Sequence, residues 1–133
     1  MPGKAHIALT HFPIALAITG FVFNLISVLA RSEAFARTTR YVAVAAAMGA
    51  VGAVAAGFWA LRDLGPVGDM AARALHHRLF GILAAAAIVV QAVWAFAARR
   101  GMSRGAAIGF CLLGLAASIL VGYTGYLGGA IGD

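Results

Sequence analysis

Four histidines, His6, His11, His76 and His77, hold most of the coordination chemistry in this sequence. A neutral imidazole ligates a transition metal or a haem iron through one ring nitrogen, while the other donates a hydrogen bond that orients the ring. Other reactive groups are sparse. Cys111 is the single cysteine, so an internal disulfide and the C-x-x-C-H attachment of covalent haem are both excluded. There is no Walker loop, G-x-S-x-G elbow or H-E-x-x-H pair, and Glu33, Asp63, Asp69 and Asp133 are too few and too peripheral for paired-carboxylate chemistry. Hydrolytic readings lack their residues, and a haem would have to be held non-covalently.

Composition sets the elements that must position these histidines. The chain has 133 residues, of which 63% are hydrophobic and 11% charged, and a helix needs about 20 apolar residues to cross a bilayer core. Four stretches are long enough. The expected fold is all-α, a single domain over residues 1–133 forming an integral membrane four-helix bundle that runs up-down-up-down. Its helices are expected over about 10–30, 41–61, 70–98 and 105–131. Lys4, the first apolar run and Ala34-Phe35-Ala36 have features of a cleaved signal, but the run exceeds an ordinary signal core and reads as a retained first helix. With the helices laid out this way, all four histidines fall on one side of the membrane.

Orientation follows from the Lys and Arg of the short loops, which concentrate on the cytoplasmic side. Arg31, Arg37, Arg40, Arg99, Arg100 and Arg104 lie on one side, against Lys4, Arg62, Arg73 and Arg78 on the other. Both termini and the histidines are therefore expected outside the cytoplasm. These loop arginines account for the net charge of +6. No basic stripe interleaved with aromatics suggests nucleic acid as a partner.

Small residues recur every four positions at Ala45, Gly49, Ala53 and Gly57, and again at Gly114, Ser118 and Gly122 followed by Gly125 and Gly129. In lipid that spacing lets backbones approach, so the second and fourth helices are expected to pack together, and the same faces offer a route to homo-oligomers. Trp59, Trp94, Tyr41, Tyr123 and Tyr126 lie near helix ends, as an interfacial belt requires. A weak internal repeat relates His11 and Asn24 to His77 and Gln91, which predicts a pseudo-two-fold axis along the membrane normal and histidines facing each other across the bundle.

Helical phase separates the histidines. His77 shares its face with Gly81, Ala84, Ala85 and Ile88, a small surface that should point inward, whereas His76 shares Phe80, Leu83 and Ala87. His11 precedes Pro13, expected in a first helical turn, and its face continues through Ala15 and Ile18. Ionisable groups in a membrane are costly and mark function. Two imidazoles on facing helices suit the iron of one non-covalent b-type haem, with Arg73 and Arg78 placed for its propionates. The blander reading makes these histidines interfacial polar residues that only terminate helices.

The segment His6-Ile7-Ala8-Leu9-Thr10-His11-Phe12-Pro13-Ile14-Ala15-Leu16 resembles the opening H-P-x-x-x-H-F-P-I-x-L of the small bacterial membrane proteins of the DUF2231 class. His77-Arg78 with Gly81, and Gly125-Tyr126-Leu127-Gly128-Gly129, are similar to that family's later motifs, so the resemblance spans essentially the whole chain. Ile7 stands where the family usually has proline, and many relatives continue beyond the position of Asp133 into a histidine-containing tail. The resemblance implies four membrane helices and a histidine-rich outer face, with His6, His11 and His77, but not His76, at family-like positions. It implies no established activity.

The functional expectation is a bacterial inner-membrane protein with periplasmic termini. It binds one haem b through His11 and His77 and serves electron transfer with a quinone or a respiratory-chain protein, as a carrier or binding protein rather than an enzyme. Histidine is absent from the cytoplasmic half, which disfavours a second haem and transmembrane electron flow. One alternative is a copper or zinc site of His6, His11, His76 and His77, for binding or transport. Another is a cofactor-free accessory subunit that docks through its small-residue faces.

Overall fold

In a hydrocarbon medium the backbone has no water to bond, so each apolar run satisfies its amides and carbonyls internally by coiling. The computed structural model describes the backbone of residues 2–64 and 68–132, with side chains over 8–60, 68–69 and 71–129. It holds four helices, α1 (Pro2–Ala30), α2 (Glu33–Leu64), α3 (Asp69–Ala97) and α4 (Arg104–Gly132), and no strand among the described residues. Spans within each, Ala8–Ala30, Glu33–Ala60, Ala71–Ala97 and Arg104–Gly129, are long and apolar enough to cross a membrane. The chain is therefore a multi-pass membrane protein in contact with lipid.

Each helix packs on its neighbours in sequence, and α4 closes the ring against α1. The α1–α2 interface is the most extensive. This ring corrects one expectation: α2 and α4 stand on a diagonal and are not packing partners. Their small residues serve other neighbours. Gly49 of α2 lies under Phe12 and Pro13 of α1, where an added Cβ would come within 3.0 and 3.3 Å of side-chain carbons. Gly114 of α4 receives Gln91 from α3 and Phe21 from α1, and Gly125 faces Ile14 of α1. Short connections explain the pattern, since they make sequence neighbours antiparallel partners and leave α2 and α4 two steps apart.

Helix α2 begins eight residues before its expected start at residue 41. Arg31 makes the reversal in a left-handed conformation (φ 50°), and Ser32 opens the next helix at once, its carbonyl accepting the Ala36 amide at 3.1 Å. Glu33 in the first turn complements the helix dipole. The polar turn from Glu33 to Arg40 is thus helical although it is not apolar. Helix α1 also extends upstream, which puts Pro13 inside it rather than in its first turn. Proline has no amide to donate, so the Leu9 carbonyl loses its usual helical partner.

Two layers of buried side chains form the core. Nearer the termini are Ala17, Ala46, Ala50, Ala84, Ile88, Ala117 and Val121. Nearer the arginine-rich end are Ala43, Ala92, Ala95 and Phe110. Trp94 packs edge-on against Phe110, with centroids 5.8 Å apart, and so belongs to this core rather than to the interfacial belt. Tyr41, Trp59, Tyr123 and Tyr126 are exposed, as belt residues would be. The two amides of the proposed repeat, Asn24 and Gln91, are both buried, at 6% and 7% exposure.

Asn24 Nδ2 is buried with no hydrogen-bond partner, and an orphaned buried donor costs about 1–3 kcal/mol. Asn24→Leu, of similar size, is expected to stabilise the bundle by about that amount, measured by reversible unfolding in mixed micelles. A loss of comparable size would instead mean that this amide is bonded in the membrane.

Candidate functional site at the histidine end

His77 lies at the third turn of α3, half-buried, where the inward phase of Gly81, Ala84 and Ile88 aims it at α4. Its Nδ1 is 3.0 Å from the carbonyl oxygen of Thr124. A carbonyl only accepts, so Nδ1 must carry a proton and donate. In a neutral ring that tautomer puts the lone pair on Nε2. The ring packs against Gly128, where a Cβ would sit 3.0 Å from Cε1 and 3.3 Å from Nδ1. One turn deeper, a Cβ added at Gly81 would sit 3.5 Å from the Thr124 methyl, so α3 and α4 fit together through Gly81, Thr124 and Gly128.

The other predicted residues are arranged differently. His76 is exposed and donates from Nδ1 to the Ala72 carbonyl of its own helix at 3.0 Å. His11 is exposed on α1, on the same stripe as Ala15, Ile18, Val22 and Leu25, whereas Ile14 and Ala17 face the core. The expectation that His11 and His77 face each other across the bundle axis is therefore corrected: their depths match, but His11 stands on the outer flank. The depth match follows from α4, where Gly125 meets Ile14 and Gly128 meets His77, and His11 is about one turn outward from Ile14 just as Gly128 is from Gly125. The side chain of His6 lies outside the described residues.

Arg73 and Arg78 are both exposed at this end. The Arg78 guanidinium rests over the ring of Phe58, 4.5 Å from its centroid, which joins α3 to α2 and holds the charge near the rim. Phe80 and Tyr123 meet edge-on at 4.8 Å and cover the α3–α4 seam. Among the described residues, no three of His, Cys, Asp and Glu come together as a metal cluster. Sequence reasoning missed Thr124 and Gly128. The only available signal was the glycine run itself, because a backbone carbonyl has no mark in sequence.

A family model described as "Predicted membrane protein (DUF2231)" matches residues 4–132. The chain belongs to the DUF2231 family. No curated protein and no solved structure matches it. In this DUF2231 protein the histidine of the third helix and the glycine-rich close of the fourth, far apart in sequence, are in direct contact.

Gly128→Ala should displace the His77 ring and break its bond to Thr124, although alanine alone favours a helix by about 1 kcal/mol. Nitrogen-15 NMR of labelled histidine should find neutral His77 protonated at Nδ1 in the unaltered protein and redistributed in the variant. Protonation at Nε2 in the unaltered protein would contradict the donor assignment.

Proposed function

We propose that this DUF2231 protein is a cofactor-binding membrane protein that holds one b-type haem at its histidine end, with His77 Nε2 as the iron ligand. The observation that carries this reading is the Nδ1 bond to the Thr124 carbonyl. Metal-ligating histidines are fixed in this way, the second nitrogen donating so that the first keeps its lone pair in a set direction. A haem needs few protein ligands, because the macrocycle supplies four of its own. That matches an end where, among the described residues, no three ligating side chains converge.

A haem at this end would be held by His77, with His11 of α1, at the same depth on the outer flank, as the candidate second ligand. Arg73 and Arg78 hold the propionates at the rim, Arg78 being steadied by Phe58. A bound haem would supply reversible one-electron chemistry. The chain's contribution is to keep His77 aimed through its Thr124 bond, to cover the α3–α4 seam with Phe80 and Tyr123, and to keep positive charge at the membrane surface. We place this end at the periplasmic face of a bacterial inner membrane, on the asymmetry of six arginines against four basic residues, with a quinone or a respiratory-chain protein as redox partner.

Detergent-purified protein, expressed with ample haem, should show a Soret band that sharpens with resolved α and β bands on dithionite reduction. His77→Ala should abolish that spectrum. His11→Ala should convert it to a five-coordinate form, and Gly128→Ala should weaken haem retention at least several-fold. A featureless spectrum from folded protein, with copper or zinc absent from the same sample, would leave the accessory-subunit reading in its place.

A further inference from the structure

The opposite end of the bundle has its own chemistry. It carries Arg31, Arg37, Arg40, Arg99, Arg100 and Arg104 against one carboxylate, Glu33, among the described residues, because Asp63 and Asp69 belong to the histidine end. Among the described residues the positive charges at this end thus outnumber its carboxylates by five. A count of this kind serves topology in any membrane protein, but here the charges are also gathered into one place. Arg40 of α2 donates from Nη1 to the carbonyl oxygen of Arg99 at 2.7 Å, drawing the start of α2 onto the α3–α4 connection. Met102 packs against the core beside Ala43, Ala95 and Phe110 and anchors that connection from below. Arg37 stands one turn outward from Arg40, the exposed Arg100 follows the bonded carbonyl in sequence, and the exposed Arg104 opens α4.

The same flank continues into the membrane as an apolar groove. Between α2 and α3 a furrow of about 380 Å³ is lined by Val51, Val54, Ile82, Ala86, Val89 and Val90. Val51 is about 11 residues deeper than Arg40 along α2, or about 16 Å at the helical rise. Guanidinium groups at the headgroup level on α2, the α3–α4 connection and the start of α4, with an open hydrocarbon furrow between α2 and α3 beneath them, are complementary to one kind of molecule.

We infer that this end binds an anionic phospholipid whose headgroup is held between the α2 arginines, Arg37 and Arg40, and Arg100 of the α3–α4 connection with Arg104 at the start of α4, with an acyl chain lying in the α2–α3 groove. Guanidinium forks match phosphate oxygens in pairs, and basic pockets between membrane helices favour anionic headgroups. Two arginine pairs suit a lipid with two phosphodiesters best.

The test is native mass spectrometry of the full chain released from vesicles of equal parts phosphatidylcholine, phosphatidylglycerol and cardiolipin. The expected result is one retained anionic lipid, cardiolipin ahead of phosphatidylglycerol, enriched several-fold over phosphatidylcholine. Arg40→Gln with Arg100→Gln should remove the enrichment, while Arg31→Gln, which lowers the charge at the same end, should keep it. Arg40→Lys with Arg100→Lys keeps the charge and controls for folding, and should retain a reduced preference. Ala86→Trp, which fills the groove, should reduce cardiolipin retention with the arginines intact. Equal retention of all three lipids, equal loss in Arg31→Gln, or full displacement by inorganic phosphate would each overturn the assignment.

Discussion

Close backbone approach is the constraint on which everything else in this bundle depends. Between helices already in lipid the hydrophobic effect supplies little, so cohesion comes from dispersion contacts that require small side chains at the crossings. Nearly all the buried core is alanine, with Ile88, Phe110 and Val121 as its larger members. Glycines mark the points where one helix receives a side chain of another: Gly49 under Phe12 and Pro13, Gly114 under Gln91, Gly128 under His77. Ser118 adds a polar contact, donating to the Gly114 carbonyl at 2.8 Å with the Ala17 carbonyl of α1 at 3.5 Å. The histidine site is a product of this packing, because His77 reaches a backbone carbonyl only where a glycine lets α3 and α4 come together.

Much of the fold was legible in the sequence. Four apolar runs dictated four spans, and the inward face of His77 followed from Gly81, Ala84 and Ile88. The repeat correctly marked Asn24 and Gln91 as interior amides. The errors have physical causes. Helix α2 starts at Glu33 because a serine and an acidic first turn favour helix without being apolar, so hydropathy alone could not locate it. The small-residue spacing of α2 and α4 is real, but spacing carries no record of which neighbour it serves. His11 was misphased for a related reason: the residues along its stripe, Ala15 and Ile18, are apolar, and in a membrane protein an apolar face is as suited to lipid as to the core.

The two ends of the molecule divide the polar chemistry between them. One presents imidazoles and a guanidinium steadied on an aromatic ring, while the other presents arginines with almost no acidic counterpart. Between them lies an interior whose polar side chains are few, and Asn24, with its unpartnered amide, shows how little the core provides for hydrogen bonding.

The two-residue turn at Arg31 and Ser32 has a mechanical consequence. It joins α1 to α2 with almost no slack, and the Arg40 bond to Arg99 ties that hairpin to the connection of the other. Both hairpins are thus stapled to one another at the arginine end. At the opposite end the short α2–α3 connection and the Arg78 contact with Phe58 hold the same two hairpins, so the bundle is pinned at both of its ends and any guest must enter from its flanks.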